Sequence, residues 1–355
     1  MRLARAKVDA AFCRVHLIWN AAGCRVYCFV IAAMLLGLTA AGPAPAQDTL
    51  LGNMMRAQKD WLWFSIVDGR VSLRWTQLPH IDTPPHGAAG EETFKLRNEN
   101  GQPRLTYERT GGEELLKVEV AGSGDDLHIS RTPQGKSKLL AVDFRQVPGE
   151  PMVLKLGTGP ERQVFRAADL WRLVIERPQE CRRHLLPLLD MLRSGSKLAD
   201  AVTEVEAKLL EGAGEQAVAE RARWAALVRQ LGDDSFSQRE AADRQLRAGG
   251  PAALAYLRHL DFSRLDAEQR FRIRRILEAA AAQSGDDSPQ QAAASLAGDP
   301  AVWLALLGRP ELATRQTAAG QLAALLGVPI DVDPAAEPDT QKEKREQLRR
   351  RIEQK

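Results

Sequence analysis

The stretch Ala168-Asp-Leu-Trp-Arg-Leu-Val-Ile175 decides the fold class, because the hydrophobic period of the chain changes there. Its apolar residues recur at helical spacing until Pro178 stops the pattern. Upstream, over 61–165, apolar residues alternate with polar ones or form short runs, which is the signature of strands. Downstream the spacing stays helical. Two periods in two successive blocks, rather than interleaved, predict an α+β chain. The first block reads as an N-terminal antiparallel β-rich domain, a sandwich or a curved sheet, and the second as C-terminal helices.

Moving upstream, Trp61-Leu-Trp-Phe-Ser-Ile-Val67 meets Val71-Ser-Leu-Arg-Trp75 across Asp68-Gly69, a dipeptide whose residues both tolerate positive φ and so close a tight hairpin. Phe94-Lys-Leu-Arg97 and Leu105-Thr-Tyr-Glu108 flank a second such turn at Asn100-Gly101. Leu116-Lys-Val-Glu-Val120 alternates strictly, so its apolar side chains share one face. Leu127-His-Ile129, Leu140-Ala-Val-Asp-Phe144, Met152-Val-Leu-Lys-Leu156 and Gln163-Val-Phe165 continue the series. The Pro- and Gly-rich stretch from Pro79 to Glu92 reads as a long loop.

Moving downstream, the run from Cys181 to Leu192 is apolar on one face, and helices are expected over 197–211 and 215–231, closed by Gly212 and Gly232. From Leu231 a repeat emerges. Leu231-Gly232, Phe236, Arg239, Ala242, Gln245 and Leu246 recur 76 residues later as Leu307-Gly308, Leu312, Arg315, Ala318, Gln321 and Leu322. Two units of ~38 residues fit that offset, a length suited to stacked helical pairs. Asp266 to Leu277 fits a degenerate middle unit.

The pattern Asp-Asp-x-Phe-x-x-Arg-Glu-x-Ala, followed by Gly-Pro and a Leu-rich helix, resembles a HEAT-like repeat of the kind found in exported bacterial proteins. The resemblance covers roughly 231–330. It implies a binding surface built from helical pairs and no particular chemistry. One helical pair cannot bury both sides of its apolar face, so neighbours must stack on it.

The expected organisation is therefore a signal peptide over 1–46, a β-rich domain over 47–166, a helical connector or cap over 167–230, HEAT-like repeats over 231–330 and a charged tail over 331–355. The leader places Arg2, Arg5, Lys7, Arg14 and Arg25 ahead of the apolar run Val26 to Ala41, which ends at Gly42-Pro43 and an Ala44-Pro-Ala46 cleavage pattern. Its 16 apolar residues are shorter than the ~20 that a spanning helix needs. An exported protein of the periplasm or the extracellular space is expected, with no stable membrane span after cleavage. The tail holds only Leu348 and Ile352 as apolar residues over 341–355, too few for a helix packed on its own.

Charge narrows the function classes. The chain of 355 residues carries a formal net charge of +3, yet without the leader 44 basic residues face 45 acidic ones. The strongly basic field of a nucleic-acid binder is absent as a bulk property. Cys13, Cys24 and Cys28 lie in the leader, so Cys181 alone follows it and no internal disulfide is expected.

Candidate chemistry is sparse. His80-Ile-Asp82-Thr-Pro-Pro-His86 gathers metal-type ligands in a spacing that matches no known metal motif. Cys181 and His184 lie one turn apart, a spacing open to a thiolate–imidazole pair, although a buried cysteine is the plainer reading. Three Gly-Asp-Asp triplets, at Gly124, Gly232 and Gly285, suit turns and caps better than acid–base work. No nucleophile elbow and no phosphate loop occurs. No catalytic residue, metal or cofactor is assigned.

The expected function is that of a non-enzymatic, protein-binding or scaffold protein of the cell envelope. Its partner would be another envelope protein, met through Arg239, Arg244, Arg270 and Arg274. The matched Arg315 gives Arg239 a competing structural role inside the repeat. A carbohydrate-binding module using Trp61, Trp63 and Trp75 is the alternative, and those positions also suit a core. A hydrolase with a metal at His80, Asp82 and His86 stands behind both.

Overall fold

The structure is a computed structural model that describes residues 62–353 except 76–80, 87–89, 112, 123, 193–196, 259, 261 and 282–284. For Leu62, Trp75, 81–86, Gly90, Glu91, 215–218, Ala281 and Glu353 the description covers the backbone alone. The expected signal peptide, Trp61 and His80 lie outside the described residues. The chain is α+β, with strands in its first half and helices in its second.

Strands β1 (Leu62–Val67) and β2 (Arg70–Trp75) form a separate hairpin, paired Val67 to Arg70 across Asp68-Gly69. Both turn residues have positive φ, 52° and 69°, as the dipeptide requires. The second expected turn behaves alike, with Asn100 at 57° and Gly101 at 82°.

The remaining strands are β3 (Ile81–His86), β4 (Gly90–Glu99), β5 (Gln102–Gly111), β6 (Glu114–Ala121), β7 (Asp126–Pro133), β8 (Val142–Gln146), β9 (Met152–Leu156) and β10 (Gln163–Ala167). They form one antiparallel meander in which each strand pairs with its sequence neighbour. The sheet is open rather than a sandwich of two similar sheets. The expected loop over 79–92 is corrected here, because residues 81–86 form an edge strand and 90–92 open the next one. The prolines Pro84 and Pro85 are tolerated because an edge strand needs hydrogen bonds on one side only, and the register shifts between Thr83 and His86.

Alternation buries one face of the meander. Phe94, Leu96, Leu105, Tyr107, Leu116, Val118, Ile129, Phe144 and Leu154 are fully buried. The opposite face carries a ladder of charge: Lys117 pairs with Glu108 and Glu119, His128 faces Glu119 and Asp143, and Lys155 faces Asp143. Cross-strand opposite charges suit a half-solvated sheet.

The helices are α1 (Leu170–Glu176), α2 (Leu198–Glu211), α3 (Glu215–Gln230), α4 (Phe236–Ala248), α5 (Gly250–Arg258), α6 (Ala267–Ala281), α7 (Pro289–Leu296), α8 (Pro300–Leu306), α9 (Leu312–Leu326) and α10 (Lys342–Glu353). Between α1 and α2 the chain makes short helical pieces around a π-helical turn, Cys181–Leu185. The expected helices over 197–211 and 215–231 are thus α2 and α3. Among the described residues no helix is long and apolar enough to cross a membrane.

Two hydrophobic cores result. The first joins the sheet and the hairpin to α1, the π segment, α2, α7, α8, α9 and Leu348 of α10. The second is made by α3, α4, α5 and α6 alone, from Trp224 and Leu231 to Ile273 and Ile276. The tail helix therefore packs by placing Leu348, with Ile352 beside it, on the first core.

Polar side chains stitch the hairpin onto the rest. Gln146, fully buried on β8, accepts from Val71 N at 3.0 Å and donates to Val71 O and Asp125 O at 2.7 Å each. It acts as a one-residue strand beside β2. At the other end Leu170 N donates to Gly69 O at 2.8 Å. A side chain on Gly69 would overlap Asp169, the N-cap of α1, so glycine is required there for contact as well as for φ.

Candidate functional site

The arginine positions come first. Arg239 turns inward on its own repeat: its Nη1 donates to Asp233 O at 2.7 Å and to Asp234 O at 3.0 Å. The matched Arg315 donates to the carbonyls of Arg309 and Pro310, the same six and five residues back. Gly232 and Gly308 also act alike, since a side chain on either would overlap a residue from the next segment, Asp266 or Arg345. Ala242, Ala318, Leu246 and Leu322 are all fully buried. The two copies therefore share local geometry, yet copy one lies in the second core and copy two in the first.

Arg239 is thus held by its turn, whereas Arg244, Arg270 and Arg274 are exposed. Three of the four carboxylates on α4 and α6 are engaged. Buried Arg272 bonds Glu240 at 2.7 Å and Glu268 at 2.6 Å, and Arg247 bonds Asp243 at 2.5 Å. Hydrogen bonding to Arg272 holds the Glu240 carboxyl below its usual range, with Arg244 and Arg275 adding to the effect. Helices α4 and α6 carry seven arginines against four carboxylates, so the surplus is positive.

Two aromatic residues stand in that field. Phe236 is 65% exposed and Phe271 is 57% exposed. The Arg239 and Arg275 guanidinium groups lie 5.7 Å and 6.0 Å from their ring centroids. The repeated apolar position is a surface position in both copies, because Leu312 is 44% exposed. Sequence matching flagged this position as apolar, but its periodicity could not say which side of the helix would be covered.

The other candidates separate on geometry. Cys181 is fully buried, donates to Leu173 O at 3.7 Å, and burial pushes its thiol up to about 12. His184 faces Arg131 instead, with Nδ1 3.3 Å from Nη2. Burial, then the Arg131 and Arg183 charges, lower its pKa, so the neutral ring accepts from arginine. No thiolate–imidazole pair forms. Trp63 is 39% exposed on the hairpin, while Trp61 and the Trp75 side chain lie outside the described residues. Asp82 and His86 are described as backbone only, so their side chains and His80 lie outside the description as metal ligands. Among the described residues no cluster of three metal-type side chains occurs.

The third Gly-Asp-Asp triplet departs from its expected role. The cap of α7 is Ser288, in a capping box with Gln291. Asp286 and Asp287 reach the hairpin instead, across some 220 residues of chain. Asp286 accepts from Ile66 N at 2.6 Å, and Asp287 accepts from Asp68 N, Gly69 N and Trp171 Nε1 at 2.7–2.9 Å. Arg258 adds an ion pair to Asp68 at 2.7 Å. Nothing in the triplet distinguishes it from the other two, because its partners are remote in sequence.

No protein-family model, curated protein or solved structure matches this chain.

Proposed function

We propose that this protein is a non-enzymatic binding protein of the cell envelope, exported by its leader, whose HEAT-like helical pairs hold an acidic segment of another envelope protein. The reading is carried by one observation: two aromatic rings, Phe236 and Phe271, stand exposed among arginines on helices where three of the four carboxylates are already paired. Exposed aromatic residues and arginines are the residue types that dominate protein interfaces. Arg244, Arg270, Arg274 and Arg275 would meet carboxylates, and the two rings would meet apolar side chains between them. The matched inward bonds of Arg239 and Arg315 support the helical-repeat reading, in which Arg239 serves the scaffold.

The test compares the full chain with a surface variant, Phe236→Ala/Phe271→Ala/Arg270→Glu/Arg274→Glu, in capture from crosslinked envelope extract. Each captured protein is then purified and titrated directly. The expected result is a partner with an acidic segment whose affinity falls at least about 100-fold in the variant, or roughly 3 kcal/mol. Partners bound equally by both proteins would remove the α4–α6 face from the account.

A further inference from the structure

Where the two cores meet, the chain leaves a cavity of about 480 Å3, within the range of about 300–1,000 Å3 usual for small-molecule sites. It lies between the end of α2, α3, α5, α7 and the start of α8. Small residues open it, among them Ala252, Ala255, Ala294 and Ala297. Trp224, Tyr256 and Trp303 supply rings, with Trp224 and Tyr256 in tilted contact at 5.8 Å. Junctions between separately packed units are a usual place for such sites.

Arg221 distinguishes this cavity from a packing defect. Its guanidinium lies 5.3 Å from the Tyr256 ring centroid. It also lies close against Gly298, where any side chain would overlap Nη1. Other half-buried arginines are satisfied: Arg309 by Glu206, Arg172 by Glu176 and Asp299, Arg131 by Leu140 O. Arg221 makes no hydrogen bond or ion pair with a described residue. Burial lowers its pKa and no carboxylate acts in the other direction. On the rim, Glu211 is taken by Lys208 at 2.8 Å. Glu220 also lines the cavity, but no ion pair or hydrogen bond joins it to Arg221. An unpaired, partly desolvated cation is costly unless something anionic joins it.

We propose that this cavity binds a small organic anion with a flat apolar body, its acid group held by Arg221 and its ring lying against Trp224 and Tyr256. Arg221 supplies a planar fork of donors that matches a carboxylate. The small alanine side chains leave room for a ring. The site is separate from the α4–α6 partner face and stands or falls independently of it.

The probe pair is 2-naphthoate and its neutral amide, 2-naphthamide, titrated into the full chain by calorimetry and ligand-observed NMR. Naphthoate is expected to bind below 1 mM, and at least about ten-fold more tightly than the amide. Arg221→Gln should erase that difference by weakening naphthoate alone. Ala294→Trp, which fills the cavity and leaves Arg221 in place, should abolish binding of both. Any of three results overturns the proposal: no naphthoate binding up to 1 mM, equal binding of acid and amide, or a preference that survives Arg221→Gln. Should Arg221→Gln fail to fold, the acid–amide comparison on the unmodified chain and the Ala294→Trp titration still decide.

Discussion

The two cores differ in how they are built. Among the described residues the first gathers 47 buried apolar residues from a sheet, a hairpin and six or more helical segments. The second has ten, from α3 to α6 alone, and surrounds them with the Arg272–Glu240–Glu268 network. The large core draws on residues from Phe64 to Leu348, so it closes long loops between residues far apart in sequence. The small core is local in sequence; its α5 packs against α7, and Arg258 of α5 pairs with Asp68 of the hairpin. A small, arginine-rich lobe thus sits on a large scaffold, with a cavity along the seam.

The sharpest way to break this comparison is one deletion in each core. Phe144→Ala should cost ~3–5 kcal/mol, and Ile273→Ala should cost ~2–4 kcal/mol. Native-state hydrogen exchange should then separate them. Phe144→Ala is expected to release the sheet, α1 and α2 together. Ile273→Ala should raise exchange in α3–α6 while the sheet stays protected. Equal loss of protection across the whole chain in both variants would show one cooperative unit.

The next effect concerns the contact that ties the start of α7 to the hairpin and α1 within the first core. Asp287→Ala removes three hydrogen bonds and leaves donors of the hairpin turn and Trp171 without a partner. The expected loss is ~2–4 kcal/mol, since each stranded donor adds its desolvation cost. Urea unfolding measures it, and faster exchange at Gly69 would place the damage at the turn. A loss under about 0.5 kcal/mol would mean the contact is ornamental.

The smallest effect is a pH dependence confined to the first core. Burial first, and Arg131 next, lower the His184 pKa in the fold. Below the unfolded value near ~6.5 the unfolded chain takes a proton that the fold resists. The stability His184 contributes is present above that pH and lost as pH falls through its folded pKa. Urea midpoints at pH 7 and pH 5 should therefore lie closer together in His184→Gln than in the unmodified chain. An unchanged gap would remove this linkage.

Much of the architecture was legible in the order of residues. Strict alternation at Leu116 to Val120 indicated a one-sided sheet, and that face is the buried one. Asp68-Gly69 and Asn100-Gly101 indicated turns through the φ values they permit. The edge strand over 81–86 was missed because proline reads as a loop breaker unless the missing donor is known to point away from the sheet. The exposed arginines Arg244, Arg270 and Arg274 could be named, but Phe236 and Phe271 could not be assigned to the surface.

What the sequence determined by itself were features of short range: strand and helix periods, turn dipeptides, and two similar segments 76 residues apart whose arginines bond carbonyls five and six residues back. These follow from neighbouring backbone geometry, which local residues dictate. Only the tertiary structure decided that the two copies of the repeat would enter different cores. It alone brought Asp287 to the hairpin, and set Arg221, Tyr256 and Gly298 around one cavity. Those outcomes depend on which surfaces meet when apolar area is buried over long chain separations, and that is a property of the whole packed molecule rather than of any segment.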